Sequence, residues 1–174
     1  MKEFDQTIAV IGGTGDLGSA LTMRWSKAGY RIFIGSRDED KAQAAASKFK
    51  KSLGKDFVRA MTNLEAARYA EIIVLTVPFS NHQAIIEEIF QVAQGKIVVD
   101  TTVPLVPPKI SRVQLPEFGS IAKRTQEKLG NNVKVVSALQ TVAAASISGD
   151  STTASEVLVC GNNVEARERV IGLV

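Results

Sequence analysis

Ile8-Ala9-Val10-Ile11-Gly12-Gly13-Thr14-Gly15-Asp16-Leu17-Gly18 is the stretch on which the fold turns. A short apolar run suited to a buried strand meets glycines in G-x-G-x-x-G spacing at Gly13, Gly15 and Gly18, and helix-forming sequence follows. Gly13 is expected to make the tight turn, Gly15 to let the backbone approach a pyrophosphate, and Gly18 to let the helix lie close on the strand. Free backbone N–H groups at the start of that helix would face the phosphates with the positive end of the helix dipole behind them. Thr14 adds a hydroxyl. A strand-to-helix turn without a ligand can also use three glycines, but the motif stands on the first strand of a regular alternating pattern, the context that gives it meaning.

Outward from this loop, β-branched runs alternate with Ala- and charge-rich segments. Strands are predicted at 7–11, 31–34, 57–61, 72–76, 96–100 and 133–137, with a seventh at 157–160. Ile72-Ile73-Val74-Leu75 has no polar alternation, as expected of a strand buried on both faces. Helices are predicted at 17–28, stopped by Gly29, after Asp38-Glu39-Asp40, from Ser80 or Asn81 to Ala93, at 120–129 and at 165–171. The fold class is therefore α/β: a Rossmann-type, doubly wound, mostly parallel sheet with helices on both faces. The long connection 101–119 carries Pro104, Pro107, Pro108 and Pro116, and either walls a binding site or is a solvated excursion.

At 174 residues and 45% hydrophobic content the chain suits one core, so residues 1–174 are expected to form a single dinucleotide-binding Rossmann domain. A net charge of +3 is too small to imply nucleic-acid binding. The start lacks the pattern of a secretion signal, no segment is long and apolar enough for a membrane span, and the single cysteine fits a reducing compartment, so a cytoplasmic location is expected. Cys160, in an apolar run, is expected to fill core. No metal-binding cluster or hydrolase elbow is present, so metal chemistry is not expected.

NAD-specific domains place an acid at the end of the second strand to bind the adenine ribose. Here that strand ends Ile34-Gly35-Ser36-Arg37, and Lys41 follows one helical turn later. A hydroxyl, a guanidinium and an ammonium can converge on the 2′-phosphate of NADP; the competing use of the two cations is weak pairing with Asp38, Glu39 or Asp40.

Taken in order, 12–18, Gly35-Ser36-Arg37 with Lys41, Leu75-Thr76-Val77-Pro78, Pro104-Leu105-Val106-Pro107 and Val135-Val136-Ser137-Ala138-Leu139 resemble the NADPH-dependent reductases of the deazaflavin coenzyme F420. The resemblance implies NADP contacts at Thr14, Gly15, Asp16, Leu17, Ser36, Arg37 and Lys41, with Val77 and Pro78 beneath the cofactor and Ala144 near the nicotinamide. It implies hydride transfer between NADP(H) and coenzyme F420 as the second, small-molecule redox substrate, in a homodimer. Two departures stand out. Gln140 and Ala143 replace the His and Pro typical of the family beside the deazaflavin, and the helical sequence with which family chains continue does not follow Val174. Either that extension is lacking or the pocket is built differently.

Hydride transfer between two stacked rings needs orientation more than an acid or a nucleophile. His82 and Gln140 are the candidate catalytic side chains: His82 either touches the nicotinamide ribose or second substrate or simply starts a helix, and 140–144 is either a wall for a flat ring or a tight turn. Lys109 and Arg112 could attract an acidic substrate tail. Two other functions fit the same residues, an NADP-dependent reductase of a small imine or carbonyl compound and a non-catalytic NADP(H)-binding module.

Overall fold

The computed structural model describes residues 6–54, 56–105, 112–148 and 156–174. Its frame is one seven-stranded sheet in the order β3-β2-β1-β4-β5-β6-β7. The strands are β1 (Thr7–Ile11), β2 (Arg31–Gly35), β3 (Val58–Met61), β4 (Ile72–Leu75), β5 (Ile97–Asp100), β6 (Lys134–Ser137) and β7 (Cys160–Gly161). The first six run parallel, and β7 joins β6 antiparallel. Because β1 sits between β2 and β4, the winding reverses there, and the carboxyl ends of these strands open a crevice.

Helices α1 (Asp16–Ala28) and α2 (Glu39–Leu53) share one face of the sheet with the carboxy-terminal α7 (Val164–Ile171); Leu21, Trp25 and Phe49 pack there with Ile8, Val10, Ile32 and Ile34, and Ala166 and Val170 extend the same core at β6. The other face carries α3 (Asn63–Tyr69), α4 (Phe79–Ile89) and α5 (Ile121–Leu129), through Ala66, Ile85, Ile86, Ile89 and Leu129 on Ala9, Ile11, Ile73 and Val98. The indole N–H of Trp25 donates to the Leu173 carbonyl at 2.8 Å, fastening α1 to the end of α7.

Several local expectations need correction. The seventh strand is two residues long and begins where it was expected to end. Cys160 is exposed on it and fills no core, because β7 lies at the sheet edge. Two short helices escaped the periodicity: α3, and α6 (Ala144–Ile147). A capping box marks α3, with the Thr62 hydroxyl accepting from the Glu65 amide and the Glu65 carboxylate accepting from the Thr62 amide. The long loop folds back on itself through an antiparallel bridge between Leu105 and Val113; Pro107, Pro108 and Lys109 lie outside the described residues.

The glycine loop also divides its labour differently. Gly12, not Gly13, takes the left-handed conformation, with φ of 82°. A Cβ on Gly18 would stand 2.7 Å from both the Gly12 carbonyl oxygen and the Gly13 Cα, so α1 meets the loop with no space for a methyl group. Gly18→Ala must therefore push the loop off β1. Thermal unfolding should show a loss of about 2 kcal/mol and a fall in Tm of roughly 5 °C, and an unchanged Tm would show that the loop can yield.

Candidate functional site

The crevice at the switch point is a cleft of about 580 Å³. Its floor is the glycine loop, through Gly12, Thr14 and Gly15. Gly15 is the N-cap of α1, and no side chain caps that helix, so its first amides are left without a side-chain acceptor. A Cβ added to Gly15 would meet only the Gly12 carbonyl oxygen, at 3.4 Å, and would otherwise fill the space over the helix start. That is a cradle for an anion.

One end of the cleft is lined by Ser36, Arg37, Asp38 and Lys41. The Ser36 hydroxyl oxygen accepts from the Asp38 amide at 3.1 Å, which leaves its own proton to donate. Asp38 caps α2 by accepting from the Lys41 amide at 3.0 Å and pairs with the Lys41 ammonium at 3.2 Å. That backbone bond first, and then the ammonium, hold the Asp38 carboxyl below its usual pKa. Arg37 has no ion-pair partner among the described residues. The far wall is Thr76, Val77 and Pro78, with Asn81 and Ile85 of α4. Gly12, Asn63, Thr76, Asn81 and Ile85 were not anticipated from sequence; the last two sit one and two helical turns beyond Pro78, a spacing that could have flagged them.

The remaining sequence candidates lie elsewhere. Gly13, Leu17 and Gly18 do not line this cleft; Gly13 and Gly18 are packing glycines. Asp16 and Ala144 line a second hollow of about 570 Å³ between α1, α2 and α6, and Thr14 borders both. Arg112 is exposed.

His82 is buried behind the cleft wall. Its Nε2 lies 2.9 Å from Asp100 Oδ2 at the end of β5 and 3.2 Å from the Thr125 hydroxyl, which itself donates to the same carboxylate oxygen at 2.7 Å. The Thr102 amide donates to Asp100 Oδ1 at 3.0 Å. Burial pushes the Asp100 carboxyl up, but the His82 hydrogen bond and charge, with the Thr125 and Thr102 donors, outweigh it and leave the acid below its usual pKa. Gln140 is similarly committed: its amide donates to the Asp100 carbonyl at 2.7 Å and to the Ser137 hydroxyl at 2.8 Å. Leu139, just before it, holds the left-handed conformation at φ 71°, so this turn is fixed under backbone strain.

A doubly wound sheet with a glycine loop and a cleft at its switch point is the architecture of a dinucleotide-binding domain, and Arg37 and Lys41 line the end of the cleft where NAD enzymes carry an acid. A family model described as NADP oxidoreductase, coenzyme F420-dependent, matches residues 7–104. The chain is 37% identical to the F420-dependent NADP reductase of Methanocaldococcus jannaschii, over 95% of its own length and 77% of that protein. It superposes with a TM-score of 0.79 on a crystal structure from Arthrobacter sp. FB24 ascribed to an F420-dependent NADP-reductase, at 25% identity and over 95% of this chain and 78% of that one. A pyrroline carboxylate reductase of Plasmodium falciparum solved with NADP bound shares the fold, at 17% identity, a TM-score of 0.63 and coverage of 99% and 55%. The chain belongs to the F420-dependent NADP oxidoreductase family.

Asp100 gives a pH prediction. Since the folded carboxyl lies below its ordinary value of 3.8, the unfolded chain takes up the proton first on acidification. Its stabilisation is then complete at neutral pH and fades as pH falls below about 5. Asp100→Asn should cost about 2 kcal/mol in urea unfolding at pH 7, and the gap from the unsubstituted protein should narrow steadily towards pH 4. A pH-independent gap would show that charge plays no part.

Proposed function

We propose that the amides opening α1, with Thr14 and Gly15, hold the pyrophosphate of NADP(H), and that Ser36, Arg37 and Lys41 hold its 2′-phosphate. The observation that carries this reading is the convergence, on one cleft at the switch point, of a helix start with no side-chain cap and an arginine with no ion pair among the described residues. As a member of its family the chain is an oxidoreductase that passes hydride between NADP(H) and the deazaflavin coenzyme F420. NADP(H) supplies or receives the hydride when bound.

What the protein adds is placement. Val77 and Pro78 form the wall beneath the cofactor, and Thr14 guides the chain of the dinucleotide from the cationic end towards the ends of β4, β5 and β6. There His82, through Asp100, and Gln140, through the Asp100 carbonyl, hold the turn at 139–144 in position. Both act as positioning residues, since neither side chain lines the cleft. Ala144 and Asp16 then border the nicotinamide half from the side of the second hollow. A homodimer is part of this reading, supported by the exposed apolar residues Leu158, Val164, Ile171 and Val174 towards the carboxy-terminal end. A reducing, cytoplasmic setting is part of it too, supported by the free thiol of Cys160 at the surface.

Mixing the protein with NADPH and oxidised F420 should bleach the deazaflavin's visible absorbance. Arg37→Ala should raise the KM for NADPH by about ten- to a hundredfold and leave that for NADH almost unchanged; equal losses with both would remove Arg37 from the 2′-phosphate site. Light scattering should give a dimer mass, and Ile171→Glu should shift it towards monomer. A monomer at all concentrations would end the dimer proposal.

A further inference from the structure

The cleft contains a polar group that neither the glycine loop nor the cationic end employs. Asn63 is the first residue of α3, where the Thr62–Glu65 capping box fixes the backbone, and its side chain is turned inward over the end of β2, 3% exposed. Room exists for it because residue 35 is glycine: a Cβ there would stand 3.0 Å from Asn63 Oδ1 and 3.2 Å from its Cα. The same Asn63 lines the cleft, between Ser36 and Arg37 on one side and Pro78 and Ile85 on the other. Its Oδ1 has no hydrogen-bond partner.

An unsatisfied buried carbonyl destabilises the fold, and an apolar residue of similar size would avoid that cost. The group is explained if a ligand brings the missing donor. Pro78 and Ile85 offer flat apolar surface opposite, which suits a ring rather than another phosphate. The ring beside the 2′-phosphate end of the cleft is the adenine of NADP(H), on the reading of this cleft proposed above. Its donor is the exocyclic amine.

We infer that Asn63 recognises the purine of NADP(H): its carboxamide, whose Oδ1 is closed over Gly35 in this structure, turns so that Oδ1 accepts a hydrogen bond from the exocyclic amine, and so sets the base specificity of the cofactor site. Gly35 is then part of the same device, since any side chain there would displace the carboxamide from the cleft floor. Thr62 and Glu65 act through it, by holding the start of α3 where Oδ1 meets the base.

The test compares binding of NADPH with binding of its deamino analogue, in which a carbonyl oxygen replaces the purine amine, by calorimetry or nicotinamide fluorescence. The unsubstituted protein should bind the analogue about tenfold more weakly, as expected for one lost hydrogen bond to a buried acceptor. Asn63→Ala should bind both equally and NADPH about tenfold more weakly than the unsubstituted protein. Asn63→Asp keeps an acceptor at the same place and should retain the preference for the amine, which separates recognition from a general loss of packing. Equal binding of the two dinucleotides by the unsubstituted protein, or an undiminished preference in Asn63→Ala, overturns the assignment. Failure of the unsubstituted protein to bind NADPH at all overturns the cofactor reading with it, whereas binding without discrimination overturns this assignment alone.

Discussion

Everything at the site depends on how closely α1 approaches the end of β1. With 2.7 Å between a virtual Cβ of Gly18 and two backbone atoms of the preceding loop, the helix start is pressed against the strand as far as backbone alone allows. That contact aims the first amides of α1 across the crevice between β1 and β4. Gly12 carries the left-handed turn that makes the approach possible, and its amide donates to the Gly35 carbonyl at 3.0 Å, tying the loop to the end of β2. The start of α1 and the end of the cleft lined by Ser36, Arg37 and Lys41 are consequently parts of one corner. A displacement of the loop would move both.

A second constraint holds the opposite half of the sheet. Asp100 gathers α4, α5 and the start of the long loop by accepting from His82, Thr125 and Thr102, while its carbonyl accepts from Gln140. A carboxylate is costly to bury, and it stays here because three donors surround it. Its place at the end of β5 makes it the joint between the wall that carries Val77 and Pro78 and the strained turn at Leu139. The only histidine in the chain is thus engaged in this network, and on the reading proposed above it acts as a positioning residue in a hydride transfer that asks for orientation rather than proton exchange.

The parallel strands were legible to within one residue at each end because burial on both faces writes a continuous apolar run into the chain. The glycine loop and the Ser36–Arg37–Lys41 group were legible for a related reason: each is a local sequence element whose spacing carries its geometry. What stayed hidden depends on contacts across the fold. Nothing local tells Gly12 from Gly13 as the left-handed residue, and the pairing of His82 with Asp100 joins positions 18 apart that only the β4–β5 crossover brings together. Asn63 could be recognised as a helix start from Thr62 and Glu65, but its unpaired oxygen is visible only once Gly35 lies beneath it. Cys160 was misplaced because an apolar run at a sheet edge resembles one in its middle.

Gln140 and Ala143 stand where the family resemblance would place a His and a Pro, and the structure gives that difference a physical meaning. Gln140 does not project into the cleft; both hydrogens of its amide are spent on β5 and β6, so it fixes the turn that a ring-bearing residue would otherwise line. Without the bulk of an imidazole and a pyrrolidine, the segment leading into α6 is left with small residues, and Ala144 and Ala145 border the second hollow together with Thr14 and Asp16. Thr14 is the shared wall between that hollow and the main cleft. Gln140 and Ala143 therefore bear on the segment leading to α6 and the second hollow, and neither lines the main cleft with Gly15, Ser36, Arg37 and Lys41; on the reading proposed for that cleft, the dinucleotide site and the space for a second ring can then vary separately.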